Sequence, residues 1–207
     1  MGRRRRSRKE FHLVYGDEKK IITPELIREI LSFVFYTVCA VAIAYLLSMG
    51  FGKSVQNVGD SMEPTISSGQ TVLVNRVTTG LSGPSRGSII AFLPNGNTNL
   101  HYYIKRVVGV PGDSVQIIDG ALYINGAEVV RDSESFDEMV DAGIASSSVK
   151  LGNGEFFVLG DNRNASEDSR SADIGIVKSE YILGSCWYYY GGGEHGFIGS
   201  SYPEGDE

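Results

Sequence analysis

Three segments of this sequence carry side chains of types that enzymes use for covalent chemistry. Ser61 lies in GDSMEPT, where glycine and proline favour a tight, exposed turn. Lys105 lies in the strand-like stretch YIKRVV, and Ser166 lies in the polar stretch GDNRNASEDSR. Serine can act as a nucleophile, and a desolvated lysine can act as a base. Each segment alone also has an ordinary interpretation, as a turn serine, a solvated edge-strand lysine or a polar loop.

Lys105 could serve as a base only if its environment disfavours the ammonium form. The reference pKa of lysine is about 10.4, and burial among apolar groups lowers it. Strand alternation would place Lys105 and Arg106 on opposite faces, so that one cation can be buried while the other stays wet or paired. The candidate apolar neighbours of the amine are Met62, Ile104 and Val107.

The segment around Ser166 carries alternating acids and arginines that predict ion pairs. Asp161, Arg163, Asp168 and Arg170 would stiffen this loop and hold Ser166 in place. The sequence does not assign the partners within these pairs.

An uncharged run at residues 30–52 precedes these segments. As a helix it would be about 34 Å long, against a hydrocarbon core of about 30 Å, which predicts a transmembrane anchor. A buried core helix and a cleaved signal peptide are the alternatives, but the run is long and begins late for a signal peptide. Thr23 and Pro24 predict the start of this helix, as N-cap and first helical residue.

The charge distribution predicts the orientation of this anchor. Residues 1–29 carry nine Lys/Arg against five Asp/Glu, whereas the rest of the chain is strongly acidic. We therefore expect a basic cytoplasmic tail at 1–29 and an extracytoplasmic domain at 53–207. A basic run could instead bind nucleic acid, but its position ahead of an apolar span favours a topology signal and no nucleic-acid partner.

The outer domain has the pattern of a mainly β fold. Short runs rich in Val, Ile, Tyr and Phe alternate with turn residues, and Asp119-Gly120 and Asn125-Gly126 predict tight hairpins. Residues 131–150 are polar and acidic, and we expect a loop-like insertion there. Cys39 and Cys186 would lie in different environments, which predicts no internal disulfide, and no cysteine pair has metal-ligand spacing.

In this order, and after a single span, the three segments resemble the motifs of bacterial type I signal peptidases of the single-span, Gram-positive-like form. The resemblance covers roughly residues 30–190. It implies a β-rich catalytic domain, a Ser–Lys dyad, no metal and no cofactor. It also implies that the substrates are secreted preproteins cut after small residues of the Ala-x-Ala type.

The resemblance assigns roles residue by residue. Ser61 matches the nucleophile, Lys105 the general base, and Ser166 a serine that hydrogen-bonds the lysine amine. The Ser61 backbone N–H would be the first oxyanion donor. Some relatives supply a second donor from a serine two residues before the nucleophile, a position that is Gly59 here. The expected substrate and oxyanion residues are Gly59, Asp60, Met62, Tyr103 and Ile104.

Substrate and location follow from the same resemblance. An extended signal-peptide end would add as a strand beside Ser61 and Lys105. Because Ser61 follows the span closely, extended chain would keep it within about 40 Å of the membrane. The expected partners are preproteins, the lipid bilayer and, by proximity, the secretion translocon.

Three other interpretations compete. A histidine base is disfavoured because His12 would be cytoplasmic, His101 lies about 13 Å along the strand from Lys105, and eukaryotic-type relatives place histidine at the position of Lys105. Repressor-type Ser–Lys proteases lack a membrane span. A catalytically inactive, anchored binding module would leave the presence of Ser61, Lys105 and Ser166 together unexplained.

Overall fold

The structure is a computed structural model that describes residues 23–199; the basic run of the tail and His12 lie outside them. Helix α1 (Pro24–Phe51) begins as predicted. The Leu26 N–H donates to the Thr23 Oγ1 at 3.3 Å. Nearly all of its apolar side chains are exposed, and the helix is long and apolar enough to be a candidate membrane span.

The contacts divide the chain into two units, between Ile43 and Ala44. The first unit contains most of α1. The second contains the end of α1 and all twelve strands among the described residues: β1 (Lys53–Gln56), β2 (Thr71–Asn75), β3 (Ile89–Phe92), β4 (Tyr103–Gly109), β5 (Ser114–Ile118), β6 (Ala121–Ile124), β7 (Ala127–Glu128), β8 (Val149–Lys150), β9 (Glu155–Leu159), β10 (Val177–Lys178), β11 (Ile182–Gly191) and β12 (Glu194–Phe197).

These strands form two antiparallel sheets, which confirms the mainly β expectation. The larger sheet has the order β1-β2-β11-β3-β4-β9-β10, with β12 added beside β11. The smaller sheet has the order β7-β6-β5-β8. Strand β4 lies inside the larger sheet, so its side chains are almost all buried.

The smaller sheet shows both predicted hairpins. Ile118 pairs with Ala121 and Ile124 pairs with Ala127, which leaves two-residue turns. Asp119 and Gly120 have φ of 49° and 82°, and the Asn125-Gly126 turn is similar. Positive φ at both central residues defines the type I′ turn that suits the strand twist.

The polar segment at 131–150 differs from a simple loop-like insertion. It contains most of helix α3 (Val130–Ser135), a 3₁₀ turn at Gly143–Ser146 and β8. Met139 and Ala145 are buried in the core of the smaller sheet. The polar and acidic composition of this segment gave no indication that these two residues would be buried. The short helix α2 (Arg76–Ser82) was likewise not predicted.

Two further clusters fill the larger sheet. One contains Met62 and Ile66 together with Val72 and Ile104, so the segment that carries Ser61 is fixed to the core directly after the serine. The other contains Ile90, Val107 and Val158 beneath β4. Cys39 and Cys186 are both free thiols.

Candidate active site

Ser61 and Lys105 meet although 44 residues separate them. The Lys105 Nζ donates to the Ser61 Oγ at 2.6 Å. Lys105 is held by β4, and Ser61 lies in the turn between β1 and β2. The two segments are brought together by the packing of Met62 with Ile104 in one cluster.

The Lys105 amine is buried, with 4% of the residue exposed. Desolvation lowers the pKa of Lys105 to about 8, while the carboxylates of Asp168, Glu167 and Asp161 act in the opposite direction and Arg170 assists the lowering. Burial is the largest cause, as expected for a cation removed from water. A minor fraction of the amine is therefore unprotonated at pH 7, and about half of it at pH 8.

Arg106 points away from Lys105 into a buried ion pair. Its Nε and Nη2 donate to the two oxygens of Asp161 at 2.7 and 2.6 Å. The Thr65 hydroxyl donates to the same carboxylate at 2.5 Å. Asp161 thus links Arg106 of β4, the strand that carries Lys105, to Thr65, which lies four residues after Ser61 in the same turn.

The two arginines of the polar loop are also paired. Arg163 forms a bidentate ion pair with Asp132 of α3, and its Cζ lies 4.2 Å from the centroid of the Phe136 ring. Arg170 pairs with Asp168 at 2.8 Å. The loop residues predicted to form ion pairs do so, but the partners of Asp161 and Arg163 come from β4 and α3, which the loop's sequence does not indicate.

Ser166 lies close to the pair but does not make the expected contact. Its Oγ is buried and has no hydrogen-bond partner, so the hydrogen bond to the Lys105 amine is not formed in this structure. The amine is engaged by Ser61 instead. The residue packs beside Gly160, where a Cβ would collide with the Ser166 side chain and with the Ser61 carbonyl. The role of Ser166 stays a prediction.

A cavity of about 150 Å³ opens onto the pair. Two of the predicted substrate residues, Tyr103 and Ile104, line it together with Ser61 and Lys105. Burial and the charge and side-chain hydrogen bond of Glu167 raise the pKa of Tyr103.

The other three predicted substrate residues are not among the lining residues. Met62 is fully buried, so it can support the site but cannot contact a substrate in this conformation. Asp60 is exposed, and its carbonyl accepts a hydrogen bond from Asn162 Nδ2 at 3.3 Å. Gly59 has φ of 87°, a left-handed conformation that favours glycine just before the serine.

Five further residues that the sequence did not single out for this site also line the cavity: Asn57, Val58, His101, Tyr102 and Glu167. His101 and Tyr102 directly precede β4, and Glu167 follows Ser166, so their proximity in sequence was the available signal. His101 stacks on Tyr103 with ring centroids 5.0 Å apart. It therefore lies at the site, but the hydrogen bond to Ser61 comes from Lys105.

Asn57 holds the turn of Ser61 closed. Its side-chain amide donates to the carbonyls of Ile66, Ser67 and Gly59 at 3.0, 3.1 and 3.3 Å. Its backbone pairs with Gln70 and Gly69 across the base of the turn. No local sequence signal predicts this role, because it depends on the closure of the whole connection between β1 and β2.

Strand β4 is open on one side next to the pair. On the other side it pairs with β3 over Tyr103–Arg106. The ladder with β9 begins only at Arg106, so within residues 23–199 the stretch Tyr103–Lys105 has a strand partner on the β3 side alone. An extended peptide could pair with this open stretch beside the Ser61 hydroxyl.

Comparisons with known proteins point to one family. A family model described as "Signal peptidase, peptidase S26" matches residues 30–190. The chain is 33% identical over 159 residues to Signal peptidase I T of Bacillus subtilis (strain 168), covering 74% of this chain and 81% of that relative. It is 29% identical over 183 residues to Signal peptidase IB of Staphylococcus aureus (strain COL), covering 79% and 90%. A crystal structure of a signal peptidase I from Enterococcus faecalis V583 is 32% identical, covers 49% of this chain and 95% of that chain, and has a TM-score of 0.38.

Proposed function

The chain belongs to the signal peptidase family, peptidase S26, and we propose that it removes signal peptides by a Ser61 nucleophile and a Lys105 general base. The observation that carries the proposal is the 2.6 Å contact between a buried amine and the Ser61 hydroxyl. A buried amine with a lowered pKa can take a proton that a solvated lysine would not take.

Acylation begins with the neutral Lys105 amine. The amine takes the Ser61 proton as the Ser61 oxygen attacks the scissile carbonyl carbon, which gives a tetrahedral oxyanion and a lysine ammonium. The backbone N–H of Ser61 is the proposed first donor to the oxyanion. The ammonium then gives its proton to the departing amide nitrogen, and the carbon–nitrogen bond breaks to leave an ester on Ser61.

Deacylation uses the same base a second time. The regenerated neutral amine takes a proton from a water molecule, and the hydroxide attacks the ester carbon. Collapse of this second intermediate breaks the bond to Ser61, which recovers its proton from Lys105. The signal peptide leaves with a new carboxyl end.

We propose a preference for small side chains before the cleaved bond, of the Ala-x-Ala type. The support is the family resemblance together with the small cavity walled by Tyr102 and Ile104. A cavity of about 150 Å³ that also receives the scissile group has little room for a large side chain. Gly59 supplies no hydroxyl, so the second oxyanion donor would be a backbone N–H or a water.

The proposed setting is the outer face of the membrane. Helix α1 would anchor the chain, with the tail at 1–29 cytoplasmic and the domain at 53–207 extracytoplasmic. The excess of Lys/Arg before the helix supports this orientation. Preproteins emerging near the secretion translocon would then meet the domain at the membrane surface.

Two alanine variants test the dyad directly. Ser61→Ala and Lys105→Ala should each lower cleavage of a preprotein by at least about a thousandfold, because nucleophile and base act as one unit. The measurement is the rate of appearance of the mature product with the full chain in detergent. Lys178→Ala, which removes an exposed lysine, is the matched control and should retain wild-type activity. Cleavage that survives both active-site changes would refute the mechanism.

A further inference from the structure

Glu167 places an acidic side chain in the wall of the cavity that contains Ser61 and Lys105. Of the described residues that line this cavity, it is the single carboxylate. We propose, on the basis of the proposed function, that Glu167 is a specificity-determining residue that favours a cationic substrate side chain near the cleaved bond and disfavours an acidic one.

The two neighbouring carboxylates cannot play this part. The side chains of Asp161 and Asp168 are both 0% exposed, and each is held in an ion pair with an arginine. Glu167 is exposed and has no ion-pair partner among residues 23–199. The Tyr103 hydroxyl hydrogen-bonds to Glu167 but does not cancel its charge, so that charge is available to a ligand, whereas those of Asp161 and Asp168 are already neutralised.

The position of Glu167 allows it to contact a bound peptide on more than one side of the serine. It lines the small cavity and also an adjoining groove of about 600 Å³, whose wall includes Val140 and Asn164. An extended peptide advances about 3.4 Å per residue. A carboxylate in the same cavity wall as the Ser61 hydroxyl is thus within reach of side chains one or two residues from the bond.

The charge of the cavity depends on the state of Lys105. The proposed mechanism requires a neutral amine, and in that state Glu167 supplies the single negative charge among the lining residues, where the other ionisable side chains are His101, Tyr102 and Tyr103. The reactive form of the cavity is therefore net negative when His101 is neutral. A substrate cation is attracted to it, and a substrate carboxylate is repelled.

The expected size of the effect is modest because Glu167 is exposed. Exposed ion pairs change binding by a factor of about two to five, and salt weakens them. This preference would act in addition to the selection for small residues, at a neighbouring substrate position.

The test is a set of signal-peptide substrates that differ by one residue. Lys, Gln or Glu is placed at the second position before the bond, or at the first or second position after it, with alanine kept at the others. For the wild-type full chain in detergent, kcat/KM should rise about two- to fivefold for Lys over Gln at one of these positions, and fall by a similar factor for Glu.

Two variants and one control isolate the carboxylate. Glu167→Gln should bring the three peptides to within about 1.5-fold of one another, and Glu167→Lys should reverse their order. Glu180→Gln, the same substitution at an exposed carboxylate of a different surface cavity, should keep the wild-type preference. High salt should weaken the preference in the wild type.

The outcomes separate this inference from the proposed function. If the Gln peptide is cleaved but Glu167→Gln and Glu167→Lys leave the Lys-to-Glu ratio unchanged, the role of Glu167 is wrong and the dyad stands. Equal rates for all three peptides at all three positions in the wild type would also overturn it. If the wild type cleaves none of the peptides and no preprotein, the proposed function itself fails.

Discussion

At the scale of single residues, the balance of charges around one amine governs the site. Burial favours the neutral form of Lys105, and three nearby carboxylates favour the charged form. Asp161 and Asp168 form ion pairs with Arg106 and Arg170, which limits how far these two carboxylates raise the pKa of Lys105. Burial is the larger effect, so the pKa of Lys105 lies below its usual value, at about 8.

This balance predicts the acid side of the pH profile. Since the proposed mechanism uses the neutral form of Lys105, kcat/KM should rise with pH through about 8 and fall about tenfold per pH unit well below it. Glu167→Gln removes a charge that raises the pKa of Lys105, so the midpoint should move to lower pH. The measurement is kcat/KM for an uncharged peptide between pH 5 and 10.

His101 provides the control for that profile, because it lines the same cavity. His101→Asn should leave the midpoint of the acid limb near that of the wild type. A limb that disappears with His101 would assign the titrating base to histidine instead of Lys105.

At the scale of elements, α3 and the polar loop form one buried unit with the site. Arg163 reaches from the loop to Asp132 of α3, and its Nε donates to the Gly160 carbonyl at 3.1 Å. Gly160 in turn packs against Ser166 and the Ser61 carbonyl. The ion pair therefore supports the backbone that surrounds both serines.

Arg163→Gln should be strongly destabilising because it leaves the buried Asp132 without its cation. We expect a loss of about 3–5 kcal/mol in the free energy of unfolding. Denaturant unfolding of the full chain in detergent, followed by the fluorescence of Trp187, the single tryptophan, measures it.

Arg86→Gln is the matched control. It removes an arginine whose side chain is 30% exposed from an ion pair with the buried Asp113. Because Asp113 keeps hydrogen bonds from the Val110 N–H and the Asn125 Nδ2, the loss should be no more than about 1 kcal/mol. Similar losses for the two variants would contradict the structural role given to the Arg163 pair.

At the scale of the whole molecule, an apolar helix and a catalytic domain belong to one chain. The second unit begins at Ala44 and includes the last residues of α1. Within that unit, the Trp187 indole N–H donates to the Phe51 carbonyl at 3.3 Å, and Gly50 is buried. A truncation that respects these contacts should start at residue 44 and not after the helix.

Removal of residues 1–43 should lower cleavage of a membrane-embedded preprotein much more than cleavage of a short soluble peptide. The reason is that the anchor would concentrate the site at the membrane surface without altering its chemistry. The rates of the full chain and of residues 44–207 are compared on both substrates, with lipid vesicles present for the preprotein. An equal loss on both substrates would refute a concentrating role.

Local pattern predicted much of this fold. Short runs rich in Val, Ile, Tyr and Phe form β5, β6 and β9, and the Asp-Gly and Asn-Gly turns form the expected hairpins, because both signals act within a few residues. The pairing of Ser61 with Lys105 was anticipated through family resemblance. The pairing of Asp132 with Arg163 was not predicted. The two residues are distant in sequence, and hydrophobic periodicity gives no information about which distant charged residues meet.

Because β9 reaches β4 only at Arg106, the backbone beside Ser61 offers hydrogen-bonding groups that an unpaired chain can satisfy. A cleavage site already embedded in a folded product cannot present its own backbone there. If substrates bind there as proposed, cutting must come before the secreted protein folds around that site, and each substrate needs an unfolded stretch between its signal peptide and its mature domain. Proteins that fold tightly up to their first mature residue should be slow to be released from the membrane.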